Sequence, residues 1–133
     1  MSISHIQFPE MLISSIEIES NMAKINVSHA FIVKMMEGAE EDTRWYGSGQ
    51  FIVNDLIEQP GRLPACPLVL SDADLRDNQM TYRGSSSIPF RYEGLVGLTL
   101  RLMDSSEKLV FIGESMSFQR IGQEKYIEHI KPG

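Results

Sequence analysis

The stretch IPFRYEGLVGLTLRL, residues 88–102, alternates with a period of two. Ile88, Phe90, Tyr92, Gly94, Val96, Leu98, Leu100 and Leu102 share one parity, while Arg91, Glu93, Thr99 and Arg101 share the other. Successive side chains of an extended strand point to opposite faces, so this parity builds one apolar face and one polar face. A period of 3.6 does not reproduce it. The segment predicts a half-buried β-strand and sets the period to look for in the rest of the chain.

The same period recurs upstream. Between residues 23 and 33 the odd positions are Ala23, Ile25, Val27, His29, Phe31 and Val33, predicting a strand with those side chains inward. Ile16 and Ile18 continue the pattern before SNMA, a polar reversal that predicts a hairpin. In RWYGSGQFIVN, residues 44–54, one face collects Trp45, Gly47, Gly49, Phe51 and Val53. EQPGRLPACP, residues 58–67, carries three prolines, which fit neither a helix nor a central strand; it reads as the longest connection and as cover for a sheet edge.

Downstream, KLVFIGESMSF (108–118) returns after the turn DSSE, and KYIEHI (125–130) supplies a last short strand before KPG. A short helix at 10–15 or 35–42 stays open. The expectation is an all-β chain, one domain over residues 1–133, built as an antiparallel β-sandwich or partly closed barrel of about eight strands.

SDADLRDNQMTY, residues 71–82, brings Asp72, Asp74 and Asp77 close together and raises the question of a metal loop. A tight turn at Asp77 and Asn78 sets Leu75 against Met80, Asp74 against Thr81 and Asp72 against Arg83. Ala73, Leu75, Met80 and Tyr82 then share an apolar face, and the acids lie with Arg76 and Arg83 on the other. A calcium loop counted from Asp72 would need glycine at position six and a carboxylate at position twelve, where the sequence has Asp77 and Arg83. The acids are expected on a solvated, arginine-paired face.

Composition narrows the function. The chain has 12 Lys plus Arg against 18 Asp plus Glu, a net charge of −6, which repels phosphate backbones and argues against nucleic acid. No run approaches the roughly 18 apolar residues of a membrane helix, and MSISHIQFPE lacks the basic and apolar regions of a leader. The single cysteine, Cys66, has no partner within the chain, in keeping with a reducing, cytoplasmic setting. There is no G-x-x-x-x-G-K, GSG at 47–49 lacks a third glycine, Ser115 is outside a G-x-S-x-G elbow, and the three histidines lack zinc spacing. No catalytic residue, cofactor or metal is assigned.

Five residues stand out as ligand-binding candidates. Trp45 and Phe51 flank two glycines and would leave a trough, unless a facing side chain fills it, the simpler outcome in a close-packed core. His29, on an apolar face, reads first as a satisfied core histidine, and it meets His129 only if the last strand pairs near residues 23–33. Glu114 falls inward opposite Leu98 if the 104–108 loop sets the register; a bulge at Gly113 would turn it outward, and that is favoured because an unpaired buried carboxylate is costly. Tyr82 adds a polar tip beside the trough.

The expected function is a non-catalytic β domain mediating protein–protein contact or self-association, a homo-oligomer whose subunit contact lies near Met103, Leu109 and Phe111. The alternative is a small-ligand barrel or enzyme using the Trp45, Gly47, Gly49 and Phe51 trough.

Overall fold

The computed structural model describes residues 2–36, 38 and 40–130, and every regular element among them is a strand. In chain order these are β1 (Ser2–Glu19), β2 (Met22–Met36), β3 (Asp42–Asn54), β4 (Leu68–Asp77), β5 (Met80–Arg83), β6 (Ser85–Ile88), β7 (Phe90–Leu102) and β8 (Lys108–Ile130). They form one sheet in the order β5-β4-β7-β8-β3-β2-β1-β6, and a further β1–β4 pairing closes six strands into a ring. All pairings are antiparallel. The chain forms the all-β, antiparallel architecture of eight strands expected from the alternation, a partly ringed sheet consistent with the sandwich or partly closed barrel.

Several boundaries differ from that expectation. Residues 10–15 belong to β1 and are not helical; Met35, Met36 and Asp42 are in strands, while residues 37 and 39 lie outside the described residues. The segments 108–118 and 125–130 are one continuous strand, and the eighth strand is β6, preceding Pro89.

The hairpins show how far pattern alone fixes register. Glu19 pairs with Met22 across Ser20 and Asn21, whose φ values of 52° and 61° suit a tight two-residue turn. In the β4–β5 hairpin Asp77 pairs with Met80, so the turn is Asn78–Gln79, not Asp77–Asn78, and Asp74 faces Arg83 instead of Thr81. That slip is two residues along the partner strand, an even number, so the faces survive: Ala73 and Leu75 are buried and Tyr82 lies with them.

At the β7–β8 hairpin the slip is odd. Phe111 takes the place opposite Leu98 expected of Glu114, three residues further on, and Leu109 faces Leu100. Every side chain near the turn therefore changes face. Leu109 and Phe111 are core residues, 4% and 0% exposed, and only Met103 of the expected subunit contact is on the surface. Met116 and Phe118 are also buried.

Two local devices complete the barrel. Where β1 leaves β6 for β4, Gly84 joins the edges: Phe8 N–H donates to Gly84 O at 2.8 Å, and Gly84 N–H to Ala73 O at 3.4 Å. Where β3 ends, the 55–67 connection takes over its edge: Ile112 N–H donates to Glu58 O at 2.9 Å and Ile57 N–H to Ile112 O at 2.7 Å. This is the edge cover predicted from the prolines, and Leu56, Leu63 and Cys66 pack from it onto the core.

A bulge at Gly94 and Leu95 interrupts β7 between its Glu93 and Val96 pairings. Asn78 clamps it: Asn78 N–H donates to Leu95 O at 2.8 Å, Leu95 N–H to Asn78 Oδ1 at 3.0 Å, and Asn78 Nδ2 to Glu93 O at 2.9 Å. The core runs from Phe8, Met11 and Ile13 through Ile25, Ile32 and Phe51 to Leu75, Leu98 and Phe111. No helix among the described residues is long and apolar enough to cross a membrane.

Candidate functional site

Strand β2 changes phase in its middle. Val27 pairs with Gly49 and Ala30 with Gly47, three residues on β2 against two on β3, so an extra residue sits at Ser28–His29. Ala23, Ile25 and Val27 are buried before the bulge, Ala30 and Ile32 after it. His29, Phe31 and Val33, expected inward, consequently stand on the outer face, which corrects the expectation for all three.

On that outer face the aromatic rings find one another. Phe31 pairs with Tyr46 across β2 and β3, their ring centroids 5.2 Å apart, and His29 lies 4.0 Å from the Tyr46 ring. The Arg44 guanidinium sits 5.4 Å from the Phe31 ring, and its Nη1 donates to Glu128 at 3.2 Å. The three rings are each half-buried, largely against one another, and form a ridge.

A cleft flanks the ridge on each side. One, about 320 Å³, lies over the β1–β6 seam and is lined by Gln7, Glu10, Phe31, Arg44, Arg83 and Ser85 among others. The other, about 290 Å³, is lined by Ser28, His29, Tyr46, Ser48, Gln123 and Lys125. Arg44, Arg83 and Lys125 thus gather around three aromatic rings on a chain whose net charge is −6.

The structure does not bring the five sequence candidates together. Trp45 and Phe51 do share the inner face of β3, but the space between them is taken. A Cβ on Gly47 would lie 2.3 Å from Ile32 Cδ1 and 3.3 Å from Glu124 Cγ, and one on Gly49 would lie 2.3 Å from Phe118 Cζ. The filling side chains come from the adjacent strands β2 and β8.

Trp45 is held at the barrel end, its Nε1 donating to Thr43 Oγ1 at 2.8 Å and the Lys34 ammonium 3.9 Å from its ring. Lys34 in turn pairs with Glu124 at 2.7 Å, and Arg120 approaches the same carboxylate at 3.3 Å. Phe51 is fully buried, 4.8 Å from Phe118. Tyr82 stacks on Tyr92 at 6.0 Å, and Tyr92 on Phe90 at 4.8 Å. Burial pushes the Tyr92 phenol above its ordinary pKa, partly offset by a hydrogen bond with Ser86 and reinforced by Tyr82 and Asp77.

Glu114 is exposed, as the favoured reading had it, although the irregularity opposite is the β7 bulge. His129 pairs with Thr43 of β3 and hydrogen-bonds Tyr126, far in register from His29. Of the acids of 71–82, Asp74 is arginine-paired, while Asp72 accepts from Ala73 N–H and Asp77 from Asn78 Nδ2. Asp74 accepts from Arg101 Nη2 at 2.6 Å with Arg83 at 4.0 Å, and the Arg101 hydrogen bond holds its carboxyl below the usual range.

Phe31, Tyr46, Arg44 and Arg83 were not singled out from sequence. Only their meeting on one outer face distinguishes them, and that depends on the β2 bulge and on the turn at Gly84 from β5 into β6, which pairs with β1. The chain matches no protein-family model, no curated protein and no solved structure.

Proposed function

We propose that this chain is a non-catalytic β domain that mediates protein–protein contact, and that His29, Phe31 and Tyr46 are the centre of its contact face. The observation that carries the reading is three rings in mutual contact on the outer side of a sheet whose inner side already holds the core. An outer sheet face is ordinarily polar, and clustered aromatics with arginine beside them are the composition of a binding hot spot. Arg44, Arg83 and Lys125 around the ridge favour a partner segment rich in Asp and Glu. Two copies meeting ridge to ridge would set those cations against their own counterparts, so the occupant is a foreign acidic polypeptide. The lone, half-buried Cys66 suits a reducing compartment for this work.

A labelled random copolymer of glutamate and tyrosine provides the probe, read by fluorescence anisotropy. Wild type should bind it better than a lysine–tyrosine copolymer, and Phe31→Ser and Tyr46→Ser should each weaken binding about tenfold or more while keeping a strand-type circular dichroism spectrum. Equal binding by the variants and wild type would defeat the proposal. Sedimentation equilibrium showing a concentration-dependent mass that Tyr46→Ser abolishes would replace the foreign partner with a second copy.

A further inference from the structure

The seam cleft beside the ridge is built by two breaks in regular pairing. Gln7 pairs with Phe31 and Leu12 with His29, so β1 passes five residues while β2 passes two, and the excess bows out at Phe8–Met11 with Glu10 at φ 65°. On the other side the chain bends between β5 and β6 at Gly84, φ 79°. Non-glycine residues at positive φ are costly and persist where surrounding structure imposes them. Together the two irregularities open a concavity of about 320 Å³ in a surface that would otherwise be flat sheet.

Two guanidiniums line it. Arg44 spends Nη1 on Glu128, while its Nε is buried and makes no hydrogen bond. Arg83 has a side chain 78% exposed, and its nearest carboxylate, Asp74, is 4.0 Å away and committed to Arg101 at 2.6 Å. Both therefore keep unpartnered donors, exposed on Arg83 and beneath the surface at Arg44 Nε. Gln7 and Ser85, paired across β1 and β6, add neutral polar groups, and the Phe31 ring supplies an apolar wall. Glu10 also lines the cleft, and Glu128 already pairs with Arg44, so the two guanidiniums are partly neutralised before any ligand arrives. That balance matches a monoanion better than a dianion.

We infer that this cleft is a carboxylate seat that receives a Glu or Asp side chain of the partner, an inference that rests on the contact face proposed above. The carboxylate would take the free donors of Arg44 and Arg83 while its methylenes lie on Phe31, and the partner's neighbouring residues would run onto Tyr46 and His29. Recognition of phosphate is the alternative that the charge balance disfavours.

The test follows the Arg44 Nε–H signal by nuclear magnetic resonance during titration with blocked glutamate, blocked glutamine and inorganic phosphate. Blocked glutamate should move the signal saturably and blocked glutamine should not. Phosphate should bind more weakly than glutamate; tighter phosphate binding would overturn the carboxylate assignment. Arg83→Gln, at an exposed position, should weaken glutamate binding about tenfold, and Arg44→Lys should do the same while keeping the charge. No saturable shift with glutamate would overturn the seat outright.

The two proposals fail separately. If Tyr46→Ser abolishes copolymer binding and Arg83→Gln leaves it unchanged, the seat is wrong and the contact face stands. If blocked glutamate titrates Arg44 but Phe31→Ser and Tyr46→Ser bind copolymer as wild type does, the seat stands and the contact face is wrong.

Discussion

From Phe90 to Leu102, β7 keeps one parity inward on both sides of its bulge, whereas β2 keeps its parity only from Ala23 to Val27. Both strands carry a period-two pattern in the sequence. The difference lies in what the off-parity positions hold. In β7 they include Arg91, Glu93, Thr99 and Arg101, which penalise any inversion, while past Val27 both parities of β2 are apolar, Ala30 and Ile32 against Phe31 and Val33. A strand with two apolar faces can flip at one extra residue with little loss of burial. That freedom is what puts a ridge of aromatics on the outside.

The comparison is broken most forcefully at the β7–β8 hairpin. Phe111→Ala should cost about 3–5 kcal/mol in urea unfolding, against less than about 1.5 kcal/mol for Val110→Ala on the opposite face. Reversed values would mean that Phe111 does not face Leu98 and that the hairpin has the register first expected. Next in size is Gly49→Ala, where the new methyl meets the Phe118 ring and the Gln119 carbonyl at 2.5 Å; overpacking should cost about 1–3 kcal/mol, while Gly61→Ala, with open space around it, should be close to neutral. An indifferent Gly49→Ala would show the trough to be roomier than the structure allows.

How much of this was legible depended on whether a wrong register carried a penalty. The β7 pattern, the β1–β2 reversal and the covering role of the 58–67 loop could be read directly, because charged parity, polar turn residues and proline each forbid alternatives. A one-residue error in the β4–β5 turn slips the pairing by two without harm, since Asp72, Asp74 and Arg76 keep their face under an even slip. Leu109 and Phe111 were lost to an odd one: VFI at 110–112 is apolar at every position, so either face could be taken as core. Of the contact face only His29 was flagged, and for the wrong side of the sheet. Arg83 joins it from β5, a neighbour that only the closed seam supplies.

Smaller effects sharpen the β7 side. Asn78→Ala removes the clamp on the bulge and leaves alanine at φ 56°, and should cost about 1–3 kcal/mol by thermal unfolding. Asp74→Asn should cost about 1 kcal/mol or less at neutral pH, since Arg101 is partly exposed. The folded pKa of Asp74 lies below the unfolded one, so its contribution is full above about pH 4 and is lost as pH falls through the folded value. Unfolding curves for wild type and Asp74→Asn should therefore converge in acid; a gap unchanged at low pH would exclude the Arg101 pairing as its source.

The position of β8 between β7 and β3 has a consequence for biosynthesis. It is made after the other seven strands, yet it stands in the middle of the sheet, pairing with β3 on one side and β7 on the other. Until Lys108–Ile130 has left the ribosome, β3 and β7 each present an unsatisfied edge. Chains interrupted before that point would expose two ready templates for aggregation. Nascent molecules should accordingly show the greatest demand for a holding chaperone between completion of β7 and release of β8.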